Sequence, residues 1–314
     1  MNNKLKVVFM GTPDFSVPVL EGLIDNYDVV LVVTQPDKEV GRKRILTPTP
    51  VKKVAIENGI PVFQPANIKT DYETIIERNP DLIITCAYGQ IIPKQLLEFP
   101  KYKCINVHAS LLPKLRGGAP IHHAIIDNYA RTGITIMYMA EKMDAGDIIS
   151  QKETIIKKED NVVTLHDRLS LMGRELLLET LPKIITGDIT PQKQDESQVT
   201  YAWNITREEE KIDFNRYAID IFNQIRGLSP SPGAYATLDG KIVKIYDAYI
   251  RDSFYNERKN GEISRIYEDG IGVSVKDLEI VITEFQLEGK KRVRLTDYFH
   301  GKDASELLGK VFNE

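Results

Sequence analysis

The sequence is short of the residues that build several common kinds of protein. Two cysteines in 314 residues, Cys86 and Cys104, cannot make a disulfide framework. Both stand in apolar runs, LIITCAYG and KCINVH, as expected of buried thiols kept reduced in a cytoplasm. There is no C-x-x-C pair and no His/Cys cluster at zinc spacing, so no metal is expected. No apolar run approaches the ~18 residues of a membrane-spanning helix, so no membrane association is expected. The first ten residues enter an apolar strand pattern without the long apolar region and cleavage site of a secretory signal. G-x-G-x-x-G is missing, which removes the dinucleotide fingerprint. Neither charge sign is in excess. Forty-one basic residues face 45 acidic ones, a net charge of −4, so bulk electrostatics gives no support for nucleic-acid binding.

What is present is an ordinary apolar fraction of 42% and enough chain for two domains. Short β-branched apolar runs occur at 4–10, 28–34, 81–87, 104–108 and 134–139. They read as buried strands of a mostly parallel sheet. Helical patterns separate them at 17–26, 50–58, 72–78 and 119–128, and a longer one follows at 163–185. The alternation predicts an α/β layer fold with helices on both faces. The stretch 187–210 loses the rhythm and carries the lone Trp203, and it reads as a linker packed on a neighbour. Beyond it come alternating strands at 233–239, 241–250, 270–275 and 278–286, separated by turn residues, which suggest a small barrel or sandwich.

Two places concentrate polar groups. Period 2 puts Asn106 and His108 on one face at the C-terminal end of a strand, where open sheets hold their sites. A carboxamide beside an imidazole can donate to one developing oxyanion. Downstream, Asp144 precedes Ala145-Gly146, and a carboxylate there can orient an imidazole and balance its charge. Singly, a polar pair at a strand end or an aspartate in a turn is more often structural. Together they form an ordered set with Leu111-Leu112-Pro113 and Arg116-Gly117-Gly118-x-Pro120 that chance explains poorly. The second place is the segment 38–53, with six basic residues (Lys38, Arg42, Lys43, Arg44, Lys52 and Lys53) against Glu39 alone.

The ordered set closely resembles the folate-dependent formyltransferases. Almost the whole chain is similar to their tRNA branch: the GTPDF turn after the first strand, PDKEVGRKRILTPTPVK, AYGQIIP, IRGLSPSPGAYA and GKKRVR. The resemblance implies a Rossmann-like formyltransferase domain with a mostly parallel sheet over 1–188, a linker over 189–206, and an OB-like β-barrel that binds tRNA over 207–314. It implies transfer of a formyl group from 10-formyltetrahydrofolate, a co-substrate, to the α-amino group of methionyl-initiator tRNA for translation initiation. Asn106 and His108 would address the formyl oxygen. Asp144 would hold and charge His108 and, directly or through water, help remove the proton of the attacking amine. Ser110, Leu111, Leu112 and Pro113 would line the folate site, with Tyr88, Gly89, Gln90 and Ile91 offering backbone groups to the pterin edge. Arg42, Lys43 and Arg44 would contact the acceptor arm, and Lys290, Lys291, Arg292 and Arg294 the tRNA from the second domain. The resemblance further implies a cytoplasmic monomer.

Two other readings stay open. A formyltransferase acting on an amino-sugar nucleotide shares the Asn-His-Asp set but gives no reason for a basic, proline-bounded segment at 36–50. A non-catalytic tRNA- or folate-binding module would not need all three polar residues. The segment 206–314 holds 17 basic and 20 acidic residues, so any tRNA contact there rests on local patches. The stretch VSVKDLEIVI departs from a Gly-rich pattern, leaving the hairpin there uncertain in form. His122, His123, His166 and His300 carry no motif, and Trp203 is expected to pack the linker down.

Overall fold

The computed structural model describes residues 5–41, 43–253, 257–300 and 304–314. Packing divides the chain into two compact units. The first takes residues up to 120, 131–155 and 166–203; the second takes 121–130, 156–165 and 204 onward.

Among the described residues the first unit has nine strands: β1 (Lys6–Gly11), β2 (Asp28–Val33), β3 (Lys38–Val40), β4 (Ile45–Thr47), β5 (Val62–Phe63), β6 (Leu82–Cys86), β7 (Cys104–His108), β8 (Arg131–Tyr138) and β9 (Ile148–Ile155). Seven of them form one sheet in the order β5-β2-β1-β6-β7-β8-β9. The first five of that order are parallel, while β8 and β9 are added antiparallel. Val8, Met10, Leu31, Val33 and Ile83 share one apolar cluster on alternate positions, and their neighbours Val7, Phe9 and Val32 are equally buried. A sheet covered on both faces needs continuous apolar strands, which is what made these runs readable.

The helices begin where local chemistry favours it. The helix α1 covers Val17–Asn26. In α2 (Pro50–Glu57) the Thr49 side chain accepts from Lys52 N and Pro50 takes the first turn, where a missing N–H costs nothing. Short helices α3 (Glu73–Glu77) and α4 (Lys94–Glu98) precede β6 and β7, and α5 (Pro120–Ile126) and α6 (Val162–Thr186) follow. The strand β9 was not expected. Its residues alternate between half-exposed and exposed, as befits a sheet edge, and carry too few apolar groups to signal a strand. The segment 36–50 is not a plain loop, since β3 and β4 pair as a separate antiparallel hairpin with Val40, Ile45 and Leu46 exposed.

From residue 204 the second unit continues with α7 (Arg207–Glu210), whose Thr206 and Glu209 form a reciprocal capping box. The helix α8 (Ala218–Leu228) follows, and its signal lies in Ala218, Ile221, Ile225 and Leu228 at helical spacing. Strands β10 (Ala234–Leu238), β11 (Lys241–Arg251), β12 (Ile263–Ile266), β13 (Ile271–Ser274), β14 (Glu279–Leu287) and β15 (Val293–Arg294) make one antiparallel sheet. Its path runs β10-β11-β14-β13-β12, with β15 on β14; among the described residues no pairing joins β10 to β12. The VSVKDLEIVI stretch is a regular hairpin, with Ser274 opposite Glu279 and Val275 N donating to Leu278 O. Among the described residues no helix is long and apolar enough to cross a membrane.

The two faces of α8 give a direct check on this packing. Ile225 is buried and Ile219 is 41% exposed. Ile225→Ala is expected to lower unfolding stability by about 2–5 kcal/mol, and Ile219→Ala by under about 0.5 kcal/mol, in urea denaturation.

Candidate active site

Strand β7 delivers two polar side chains to the C-terminal edge of the sheet. Asn106 is half-buried, and its Oδ1 accepts from the Thr85 hydroxyl at 2.8 Å. Thr85 lies directly opposite it on β6. With its oxygen taken, the carboxamide presents Nδ2, which meets no partner among the described residues. His108 is buried, and its Nε2 lies 3.0 Å from Leu115 O. A carbonyl only accepts, so that nitrogen carries hydrogen. Nδ1 faces Asp144 Oδ1 at 3.8 Å, a separation for charge interaction rather than a direct hydrogen bond. As they stand, the two ring nitrogens address Leu115 and Asp144, and Asn106 is the member of the pair with an open donor.

Asp144 arrives from the loop after β8. Its φ is +48°, in the left-handed region that costs a non-glycine residue energy. Its other oxygen accepts from Gly117 N at 2.9 Å. Two glycines make this approach possible. Gly117 has φ +129°, and a Cβ there would stand 2.4 Å from Ala202 O. A Cβ on Gly146 would stand 1.8 Å from Tyr138 O. The Arg-Gly-Gly and Asp-x-Gly patterns therefore carry a steric requirement.

The stretch expected to be a linker supplies part of this site. Arg116 N donates to Thr200 O, Ala202 N to Arg116 O and Ala119 N to Ala202 O, so residues 200–202 lie along the loop after β7. Arg116 is fully buried. Its Nε and Nη2 donate to Gln194 Oε1 at 3.0 and 2.8 Å, and Nη2 also to Glu196 at 2.8 Å. Gln194 Nε2 donates to the carbonyls of Asp144 and Gly146, both at 2.8 Å. Gln194, Glu196 and Thr85 were not singled out from the sequence, and Arg116 only as part of the Arg-Gly-Gly-x-Pro pattern, without a role of its own. Trp203 does not pack the linker down; it is 58% exposed and stacks on Tyr201 with ring centres 5.0 Å apart.

The remaining expected site residues divide by environment. Ser110 and Leu112 are internal: Ser110 Oγ donates to Lys114 O, and Leu112 N donates to Thr135 Oγ1. Leu111 and Pro113 are half-exposed. In the loop after β6, Ala87 and Gly89 both have positive φ, and Tyr88 O accepts from Thr12 Oγ1 and Gln35 Nε2. Burial pushes the Tyr88 phenol well above its ordinary pKa. Gln90 Oε1 accepts from Ile68 N, and Ile91 is 60% exposed. The backbone N–H groups of Gly89, Gln90 and Ile91 meet no partner among the described residues. An open row of backbone groups beside exposed apolar surface fits a flat heterocycle with a hydrogen-bonding edge.

Among the basic residues, Arg42 lies outside the described residues. Lys43 is exposed, and Arg44 is exposed at the tip of the β3–β4 hairpin, paired with Glu39 at 2.6 Å. Lys290, Lys291 and Arg294 are exposed. Arg292 is taken up within the unit, with Nε and Nη2 on Glu284 at 2.7 and 2.6 Å and its guanidinium over the Tyr246 ring.

Residues 4–181 match the formyl transferase family, and 204–303 match the formyl transferase C-terminal domain. The methionyl-tRNA formyltransferase of Bacillus licheniformis is 53% identical over 300 residues, 94% of this chain and 95% of that protein. That of Bacillus subtilis is 52% identical over 98% of this chain and 99% of its own length. Among solved structures, the N-formyltransferase from Helicobacter canadensis with folinic acid and dTDP-3-aminofucose superposes with a TM-score of 0.67 at 22% identity, over 88% of this chain and 98% of that one. HypX from Aquifex aeolicus with tetrahydrofolic acid gives 0.63 at 16% identity, over 95% of this chain and 47% of that one. At these identities the two structures speak to the fold.

Hydrogen bonds from Arg116 and then Lys142 pull the Glu196 carboxyl from its ordinary range down to about 2. A depressed carboxyl stabilises the fold above its unfolded pKa, and that stabilisation is lost as pH falls through about 2. Thermal melting of Glu196→Gln against the parent should show a smaller loss of Tm on acidification across that window. The difference should shrink in high salt, because Glu196 is exposed.

Proposed function

The chain belongs to the formyl transferase family, and from that premise we propose that it transfers the formyl group of 10-formyltetrahydrofolate to the α-amino group of methionyl-initiator tRNA, as a cytoplasmic, monomeric enzyme of translation initiation. Near-full-length identity above 50% to methionyl-tRNA formyltransferases supports the acceptor. The observation that carries the chemistry is that the last residues of β7 carry an oriented carboxamide and, two residues on, an imidazole that faces a carboxylate.

The folate co-substrate supplies an electrophilic formyl carbon on a nitrogen that leaves as an amine. The open backbone row at 89–91, with Ile91, Leu111 and Pro113, would hold it. The residues then do what their positions allow. Amine attack drives negative charge onto the formyl oxygen, and Asn106 Nδ2 donates to it. Thr85 fixes which end of the carboxamide faces that oxygen, so the donor is oriented before charge appears. Asp144 supplies the negative charge against which positive charge on His108 is balanced, and accepts the amine proton directly or through water. No side-chain nucleophile is needed, because the substrate's amine attacks. The exposed β3–β4 hairpin, with Lys43 and Arg44 around its tip, is proposed to meet the acceptor arm together with Arg42, with Lys290 and Lys291 as further contacts. The amino-sugar alternative rests only on fold likeness at about 22% identity.

A formyl-transfer assay with methionine-charged initiator tRNA beside an amino-sugar nucleotide tests the acceptor, and turnover confined to the sugar would overturn the reading. In the tRNA assay, Asn106→Ala is expected to lower kcat by about 100-fold or more with folate affinity little changed. Turnover within twofold of the parent in a folded variant would remove Asn106 from the chemistry. Arg42→Leu is expected to lower kcat/KM for charged tRNA and flatten its log–log salt dependence by about one unit, leaving folate binding alone. An unchanged slope would make the basic segment a solvated surface.

A further inference from the structure

The reaction places a strict demand on Asp144, and its own backbone works against meeting it. A left-handed φ of +48° is unfavourable for an aspartate, and its side chain must nonetheless reach Gly117 N at 2.9 Å and face His108 at 3.8 Å. Beyond the loop's own turn, in which Ala145 N donates to Lys142 O, contacts from outside the loop hold that conformation.

Gln194 has the right chemistry for it. Its carboxamide uses both donors and both acceptor positions. Nε2 spans the carbonyls on either side of Ala145, Asp144 O and Gly146 O, at 2.8 Å each. Oε1 accepts from Arg116 Nε and Nη2 at 3.0 and 2.8 Å. Arg116 precedes Gly117, whose N–H holds the Asp144 carboxylate. The contacts close a ring: Asp144 side chain to Gly117, Arg116 to Gln194, and Gln194 back to the Asp144 backbone. Arg116 is buried, and its Nη1 meets no partner among the described residues. The guanidinium therefore depends on Gln194 and Glu196 for its acceptors, and cannot turn away cheaply. Only a carboxamide offers donors to two carbonyls at one end and an acceptor to a guanidinium at the other. A glutamate keeps the Arg116 half and sets an oxygen against two carbonyl oxygens. A methionine has similar length and loses both halves.

We propose that Gln194 is a positioning residue for formyl transfer, holding Asp144 in its left-handed conformation so that the carboxylate faces His108. The proposal rests on the catalytic reading of Asp144 above. It is tested by a double-mutant cycle in the full chain, with Gln194→Glu and Gln194→Met each made alone and with Asp144→Asn. Folding is followed by thermal melting, and kcat and both KM values by formyl transfer to charged tRNA. In the parent background each Gln194 variant should lower kcat by about 10- to 100-fold, as small misplacements of reacting groups do, with either KM changed less than about twofold. In the Asp144→Asn background, already down by about 100-fold, the same substitutions should cost under about threefold, because the group they position has lost its charge. A merely structural role would lower kcat by the same factor in both backgrounds, or raise KM with it, and either result overturns the proposal. So does an unchanged kcat, or failure of both variants to fold. If Asp144→Asn alone keeps near-parent turnover, the underlying catalytic reading falls. If that variant is crippled while the Gln194 variants are not, the reading stands and only the positioning role is lost.

Discussion

The site depends on one short hydrogen bond, from the Gly117 amide to the Asp144 carboxylate. It joins the loop after β7 to the loop after β8, and so decides how the carboxylate meets the imidazole. Each partner is held in an uncommon backbone conformation, and each is backed by a glycine that no side chain could replace. Rigid strands bring the two loops to the same edge of the sheet. The last ångström is set by polar contacts that are part-buried, built around the fully buried Arg116, where misplaced dipoles are costly.

Much of the fold could be read from the chain because the central strands are covered on both faces. A run such as Leu82–Cys86, wholly buried, has no choice but to be apolar and β-branched. What escaped reading was half-exposed. The strand β9 is polar through Ser150–Thr154 and buries none of its residues fully, and the hairpin at 38–47 pairs in a stretch rich in proline and charge. The helix α8 escaped for another reason. Its apolar spacing is present, but the IRGLSPSPGAYA motif begins inside it at Ile225 and runs past its end at Leu228.

The site divides the same way. Asn106, His108 and Asp144 were legible because their residue types and order are unusual together. Thr85, Gln194 and Glu196 were not, and Arg116 was legible only as part of the Arg-Gly-Gly-x-Pro pattern. Thr85 sits inside an apolar strand where a buried threonine is unremarkable, and only the β6–β7 register places it opposite Asn106. Arg116 is charged, and a charged residue in a Gly-rich loop is ordinarily taken as solvated; it is fully buried. Gln194 lies 50 residues from the backbone carbonyl it holds. No local pattern encodes a contact of that span.

The addition of residues 200–202 along the loop after β7 also bears on how such a chain could be rearranged in evolution or in the laboratory. The polar stretch from 187 looks like the natural place to cut, and residues 187–191 could change in length without moving a buried contact described above. Past Gln192, which pairs with Ile148, one inserted or deleted residue would shift Gln194, Thr200 and Ala202 out of register with Arg116 and Asp144. Chimeras that exchange the segment from residue 204 onward between relatives should therefore be joined after Trp203. A junction at Pro191 would carry away part of the first unit's site with the module it was meant to replace.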